Sequence, residues 1–159
     1  MGDFVKMKRL TVIVSTTVLA SAALVAVSGS AVAASHSTTW KNAATGRWLG
    51  VDTGITGTGS KVLTDSRNAG GWDETKNSDG TFTLAWNGYG TGSHCLDSKA
   101  NGSVYAISCN GGNNQKWHET KTATGWRLKN KATGLVLDSN ASGSVYTKAD
   151  NGGKYQRWN

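Results

Sequence analysis

Proline is missing from this sequence altogether, and cysteine, methionine and phenylalanine occur only twice each in 159 residues. Without proline the chain must turn on glycine, asparagine, aspartate and serine, and 21 glycines are present for that use. No stretch keeps apolar residues at a helical period, which excludes an amphipathic helix of ordinary length. No Cys-x-x-Cys pair occurs, so a dithiol redox centre is excluded, and two thiols alone do not make a zinc site. After residue 34 lysine and arginine are scattered, with no basic stripe to track a nucleic acid. His36, His94 and His118 lack metal-ligand spacing, so neither a metal nor another cofactor is expected. A catalytic centre would need a nucleophile beside a base, or two convergent carboxylates. Neither is indicated: His36 sits in an N-terminal end expected to fray, and Glu74 and Glu119 occupy matching positions that point to packing or a surface pair.

The first 34 residues stand apart. Lys6, Lys8 and Arg9 form a positive head, Leu10 to Val27 is an apolar run diluted by Ser and Thr, and Ala31-Val32-Ala33 supplies small residues at an exit. That pattern is a secretory signal peptide, cut after Ala33 or Ala34, and it implies an extracellular product with no membrane insertion after cleavage. Cleavage removes three of the 17 basic residues and one of the 10 acidic ones, lowering the net charge from +7 to +5. In an oxidising compartment Cys95 and Cys109 are most simply a disulfide. Closing a loop of about 15 residues stabilises the fold by about 3 kcal/mol on the chain-entropy reading.

What remains, residues 35–159, is written in repeats. Leu137-Asp138-Ser139-Asn140, Gly143-Ser144-Val145-Tyr146, Asn151-Gly152-Gly153 and Gln156-Arg157-Trp158 match Leu96-Asp97-Ser98, Gly102-Ser103-Val104-Tyr105, Asn110-Gly111-Gly112 and Gln115-Lys116-Trp117 without insertion or deletion. A worn third copy runs from Val51-Asp52 to Trp72, and from Asp to closing Trp the step is 20 residues in every copy. On that spacing Ser60, Asp65, Ala69 and Gly70 replace the Tyr, Asn, Tyr and Gln of the intact copies. Trp40-Lys41-Asn42-Ala43-Ala44-Thr45-Gly46 and Leu128-Lys129-Asn130-Lys131-Ala132-Thr133-Gly134 read as one hairpin used twice. The repeats fall at about 38–80, 81–122 and 123–159. Short apolar clusters between Gly, Asn and Asp make each copy a set of short strands. Three copies of about 40 residues predict one all-β domain with pseudo-threefold symmetry, because one copy cannot bury its apolar face alone. Trp72, Trp117 and Trp158 are assigned to the core, and Gln115 and Gln156 to bracing a turn.

Gln-x-Trp closing a unit, with Leu-Asp and Asn-Gly-Gly upstream, resembles the ricin-type β-trefoil lectins, and most of all their short-repeat, mannose-binding members. The resemblance covers the whole chain after residue 34. It implies a β-trefoil with one shallow sugar pocket per lobe and carries Cys95 and Cys109 as a pair. It further implies that Asp138, Tyr146, Asn151 and Tyr155 hold a saccharide in the third lobe. Asp97, Tyr105 and Asn110 match them in the second, where Asn114 replaces the last aromatic, and the first lobe is expected to be blind.

The chemistry is consistent with that implication. A carboxylate accepts two hydroxyl protons in charge-assisted bonds, an amide both donates and accepts, and a ring covers the C–H face of a sugar. The expected partner is therefore a mannose-type glycan, or another polysaccharide, bound by a monomer without catalysis. Galactose, xylan or arabinan are alternatives on the same fold, and a β-trefoil protease inhibitor is one of a different class. Asn101-Gly102-Ser103 and Asn140-Ala141-Ser142 are glycosylation sequons.

Overall fold

The computed structural model describes residues 35–52, 59–65, 71–88 and 94–159. Residues 1–34, expected to be a signal peptide, lie outside the described residues, as do Ala69 and Gly70. Eleven strands appear among the described residues: β1 Ser35–Thr38, β2 Trp48–Val51, β3 Ser60–Asp65, β4 Trp72–Lys76, β5 Phe82–Trp86, β6 His94–Ser98, β7 Val104–Ser108, β8 Trp117–Thr122, β9 Gly125–Asn130, β10 Val136–Ser139 and β11 Val145–Lys148. Two single 3₁₀ turns, Asn113–Gln115 and Lys154–Gln156, precede Trp117 and Trp158. All the named strand pairings are antiparallel.

Three hairpins, β2–β3, β6–β7 and β10–β11, carry the signature of each lobe. Two more, β4–β5 and β8–β9, carry the chain from one lobe into the next. The threefold relation is visible atom by atom. Trp72, Trp117 and Trp158 are wholly buried, and each indole N–H donates to a leucine carbonyl: Leu49 at 3.2 Å, Leu96 at 3.0 Å and Leu137 at 3.1 Å. Leu84, Leu96, Leu128 and Leu137 belong to the same buried cluster as the indoles. Full burial of one such side chain contributes about 2–3 kcal/mol. The fold is an all-β trefoil.

Neighbouring lobes interlock. The Gly143 carbonyl accepts the Thr64 N–H and the Gly102 carbonyl accepts the Thr147 N–H, each at 2.8 Å. Both glycines sit at φ 87°, and a Cβ on either would come within 2.7 Å of the facing threonine carbonyl. Only glycine fits there. Beneath these contacts the Thr64 and Ser139 hydroxyls share a hydrogen bond, as do those of Ser98 and Thr147. The hairpin used twice is confirmed. Asn42 accepts the Ala44 and Thr45 N–H groups, Asn130 those of Ala132 and Thr133, and Gly46 and Gly134 turn at φ 68° and 69°. The amide of Asn42 then donates to the Tyr155 carbonyl in the third lobe, and that of Asn130 to the Asn114 carbonyl in the second.

The pairing corrects the first lobe's alignment. Leucine and closing tryptophan are 21 positions apart in the intact lobes but 23 in the first. Gly50 pairs with Leu63 as Asp97 pairs with Tyr105 and Asp138 with Tyr146. Gly50 and Leu63, not Asp52 and Ser60, therefore occupy the aspartate and tyrosine positions. Asp52 is exposed beyond β2, and the Trp86 ring lies over Gly50.

A second correction concerns His36, and of the two readings of Glu74 and Glu119 the structure shows packing. His36 is in β1, paired opposite Glu74, with Nε2 3.4 Å from its carboxylate. Glu74 is buried, and it faces Glu119. Burial first, then the charge and hydrogen bond of Glu74, push Glu119 up to about 8; burial also raises Glu74. An unfolded glutamate ionises near 4.5. Between 4.5 and about 8 the folded state binds the extra proton, so this pair removes stability as pH rises through that window. Glu119→Gln keeps a donor for Glu74 and carries no proton to lose. Discounted for the partial exposure of Glu119, the variant gains about 1–2 kcal/mol over the wild type at pH 8 and little at pH 4.5. Melting curves at the two pH values check this, and an equal shift at both refutes the shared proton.

Candidate functional site

In the second and third lobes the signature residues converge on one face of the β6–β7 and β10–β11 hairpins. Asp97 and Asp138 lie directly opposite Tyr105 and Tyr146 across the strand pair. Along β7 and β11, tyrosine alternates with Val104 and Val145, so the ring leaves the core where the valine enters it. Both rings are half-buried. The aspartates are deeper than a surface contact requires, only 4% and 3% exposed. In each, Oδ1 is buried with no hydrogen-bond partner among the described residues. An orphaned carboxylate oxygen repeated at one position in two lobes is costly and calls for an explanation. Among the described residues neither aspartate makes a turn-capping hydrogen bond, and the structural contact seen is the one Asp138 Oδ2 accepts from Gln156.

The glutamines do brace the turn. Gln115 Oε1 accepts the Asn110 N–H at 2.8 Å while its Nε2 donates to the Ser108 carbonyl. Gln156 does the same with Asn151 and Ala149, and also donates to Asp138 Oδ2 at 3.0 Å. Asn110 and Asn151 each accept the N–H two residues on, from Gly112 and Gly153, at 2.8 Å. Their Oδ1 atoms thus hold the turn, both side chains are exposed, and no bond from either NH₂ group is seen among the described residues. Burial raises the Asp138 carboxyl, opposed by Gln156, the Ser139 backbone and the charge of Lys148. Burial and then Asp97 push the Tyr105 hydroxyl up to about 12; Tyr146 is raised by burial and by Asp138 and Tyr155. Both phenols therefore stay protonated and able to donate.

The two sites are not copies, and the repeat pattern did not reveal how they differ. In the third lobe the Tyr146 hydroxyl donates to the Ser139 carbonyl. In the second lobe the equivalent Ser98 carbonyl is held by the Asn114 side chain, leaving Tyr105 against Asp97. Asn114 is thus a brace, not a polar substitute for the Tyr155 ring. Tyr155 itself is 42% exposed, the one large hydrophobic side chain so open among the described residues. The wall behind each site differs too. Cys95 and Cys109 form the expected disulfide beside Asp97 and Asn110. In the third lobe Asp150 stands in the place of Cys109 and is gripped by Arg127 at 2.9 Å and Arg157 at 3.5 Å. Its burial acts to raise the carboxyl, but the arginines and the Gly152 N–H outweigh that and hold it low.

No three His, Cys, Asp or Glu side chains gather as a metal would need among the described residues. No functionally curated protein matches the sequence. Several solved structures match the fold. The designed threefold-symmetric protein ThreeFoil shares 25% identity at a TM-score of 0.67, over 77% of this chain and 95% of its own. SeviL, solved with an asialo-GM1 saccharide, shares 16% at 0.63, over 79% and 95%. The exo-β-1,3-galactanase 1,3Gal43A of Clostridium thermocellum shares 20% at 0.65, over 76% of this chain but only 28% of the enzyme. Domains of this kind generally bind carbohydrate without catalysis, though some are carried by enzymes. Residues 36–158 match the ricin-type beta-trefoil lectin domain, so the chain belongs to that carbohydrate-binding family.

Proposed function

We propose that the second and third lobes each hold one saccharide unit of mannose type, making the protein a secreted, monomeric, non-catalytic lectin with two sites. The observation that carries this reading is selective preservation. Asp97, Tyr105 and Asn110 recur as Asp138, Tyr146 and Asn151 in matching register, while the first lobe keeps the buried tryptophan but has Gly50 and Leu63 where the carboxylate and phenol belong. A requirement of folding alone would have kept the set in all three. The buried Oδ1 atoms serve as acceptors for sugar hydroxyls, reached when the tyrosine above turns aside. Tyr155 covers the C–H face of a sugar in the third lobe. Single shallow sites bind weakly, so engagement of both by one branched glycan supplies the strength, about 10²–10⁴ in avidity.

Protein made in bacteria, which leaves Asn101 and Asn140 unglycosylated, is passed over immobilised mannan. It should be retained and then released by mannose, but not by galactose, xylose or arabinose. Release by galactose or a pentose transfers the lectin to another sugar. Free passage over mannan, galactan, xylan and arabinan alike removes the saccharide reading itself.

A further inference from the structure

Each of the two intact sites carries an ammonium group, and the two reach it from different places in the sequence. Lys99 Nζ lies 4.9 Å from the centre of the Tyr105 ring, and Lys148 Nζ lies 5.5 Å from that of Tyr146. The positions are not repeat mates. Lys99 follows Asp97 toward the hairpin turn, where the third lobe has Asn140. Lys148 follows Tyr146 away from the turn, where the second lobe has Ile107. Threefold inheritance therefore does not account for a cation at both.

Stacking on a ring is not by itself diagnostic, since Lys41 and Lys121 lie over Trp48 and Trp126 away from these sites. What sets the pair apart is the company. Lys116 and Lys131 are neutralised by Asp79, and Arg127 and Arg157 by Asp150. Lys99 and Lys148 are exposed, make no ion pair among the described residues, and border a phenol and a carboxylate already assigned to hydroxyl recognition. Lysine reaches an anion as a mobile point charge and does not demand one geometry. We propose that both sites prefer saccharides bearing an acidic substituent, a carboxylate or a phosphate ester, over their neutral counterparts. The aspartate takes the hydroxyls, and the ammonium swings off the ring to take the acid on the outer flank. Because Lys99 and Lys148 stand on opposite flanks, the two lobes meet the acidic group from opposite sides of the sugar. This inference rests on the saccharide reading above.

The test compares three oligosaccharides of one mannose backbone by calorimetry on the purified protein: unmodified, bearing a phosphate monoester, and bearing a uronate. At low salt each acidic ligand should bind about 3-fold more tightly per lobe than the neutral one, in line with an exposed ion pair. That ratio should fall toward 1 near 0.5 M salt, where the screening length is only a few ångströms. It should fall likewise in Lys99→Gln/Lys148→Gln and persist in Lys99→Arg/Lys148→Arg. A preference for only one acid identifies the substituent. Equal binding of neutral and acidic ligands by the wild type overturns the inference and leaves the lectin reading standing, as does an acid preference that survives in the glutamine variant. Absence of binding to all three removes both.

Discussion

Replacing either Asp97 or Asp138 by alanine is expected to reduce binding to a multivalent mannose surface by about 10²–10⁴, leaving a weak, single-site binder, and replacing both is expected to abolish it. A carboxylate that accepts two hydroxyl protons makes the strongest polar contact either site can offer. The phenols and amides can only supplement it. Truncation has a second consequence in the third lobe, because Asp138 Oδ2 also accepts the Gln156 amide that holds the Asn151 turn. Asp97→Asn/Asp138→Asn separates the two effects. Asparagine still presents an acceptor to Gln156 but carries no charge for the sugar, so the turn survives while binding falls. Glycan-array or surface-plasmon measurements on variants with native melting curves decide the matter. Full retention of binding by a folded double alanine variant removes the aspartates from the site.

Trp158→Ala is the change expected to cost the fold most, about 3–5 kcal/mol. The indole is wholly buried, touches the shared core, and donates its N–H to the Leu137 carbonyl at 3.1 Å. Its backbone bridges both Asn42 and Trp126, so the residue ties the third lobe to the first. Against a total stability of about 5–15 kcal/mol, that loss leaves a marginal protein or none. Trp158→Phe keeps most of the apolar volume and gives up the hydrogen bond, and it should lose much less. Urea midpoints for the two variants measure the split. A Trp158→Ala protein as stable as the wild type contradicts a single core shared by three lobes.

Much of this was legible before any coordinates. The closing tryptophans, the twice-used hairpin and the glutamine braces follow from repetition, because a feature written twice in register is doing the same job twice; the Cys95–Cys109 bridge follows instead from there being two cysteines in all. The first lobe misled for a physical reason. A constant count back from Trp72 assumes a connection of constant length, whereas surface connections absorb insertions freely. Strand register instead ties Gly50 and Leu63 to the aspartate and tyrosine positions. Asn114 misled because a polar residue replacing an aromatic reads as a lost contact, and only the geometry reveals the Ser98 carbonyl it secures. The glutamate pair could have been found. Glu74 and Glu119 each stand two residues after a buried tryptophan on a strand, hence on the same inward face. Residues that face a symmetry axis meet their own repeat mates there.

The tie between Asn42 and Tyr155 spans 113 positions of sequence, and the lobes otherwise clasp one another in turn. Such a ring cannot be finished piecemeal. Its closing contacts form only when almost all of the chain is present, and contacts between distant positions are what slow folding, typically into the millisecond-to-second range. For the export proposed above, that delay has a use: until Trp158 has emerged, there is no closed structure to jam the passage.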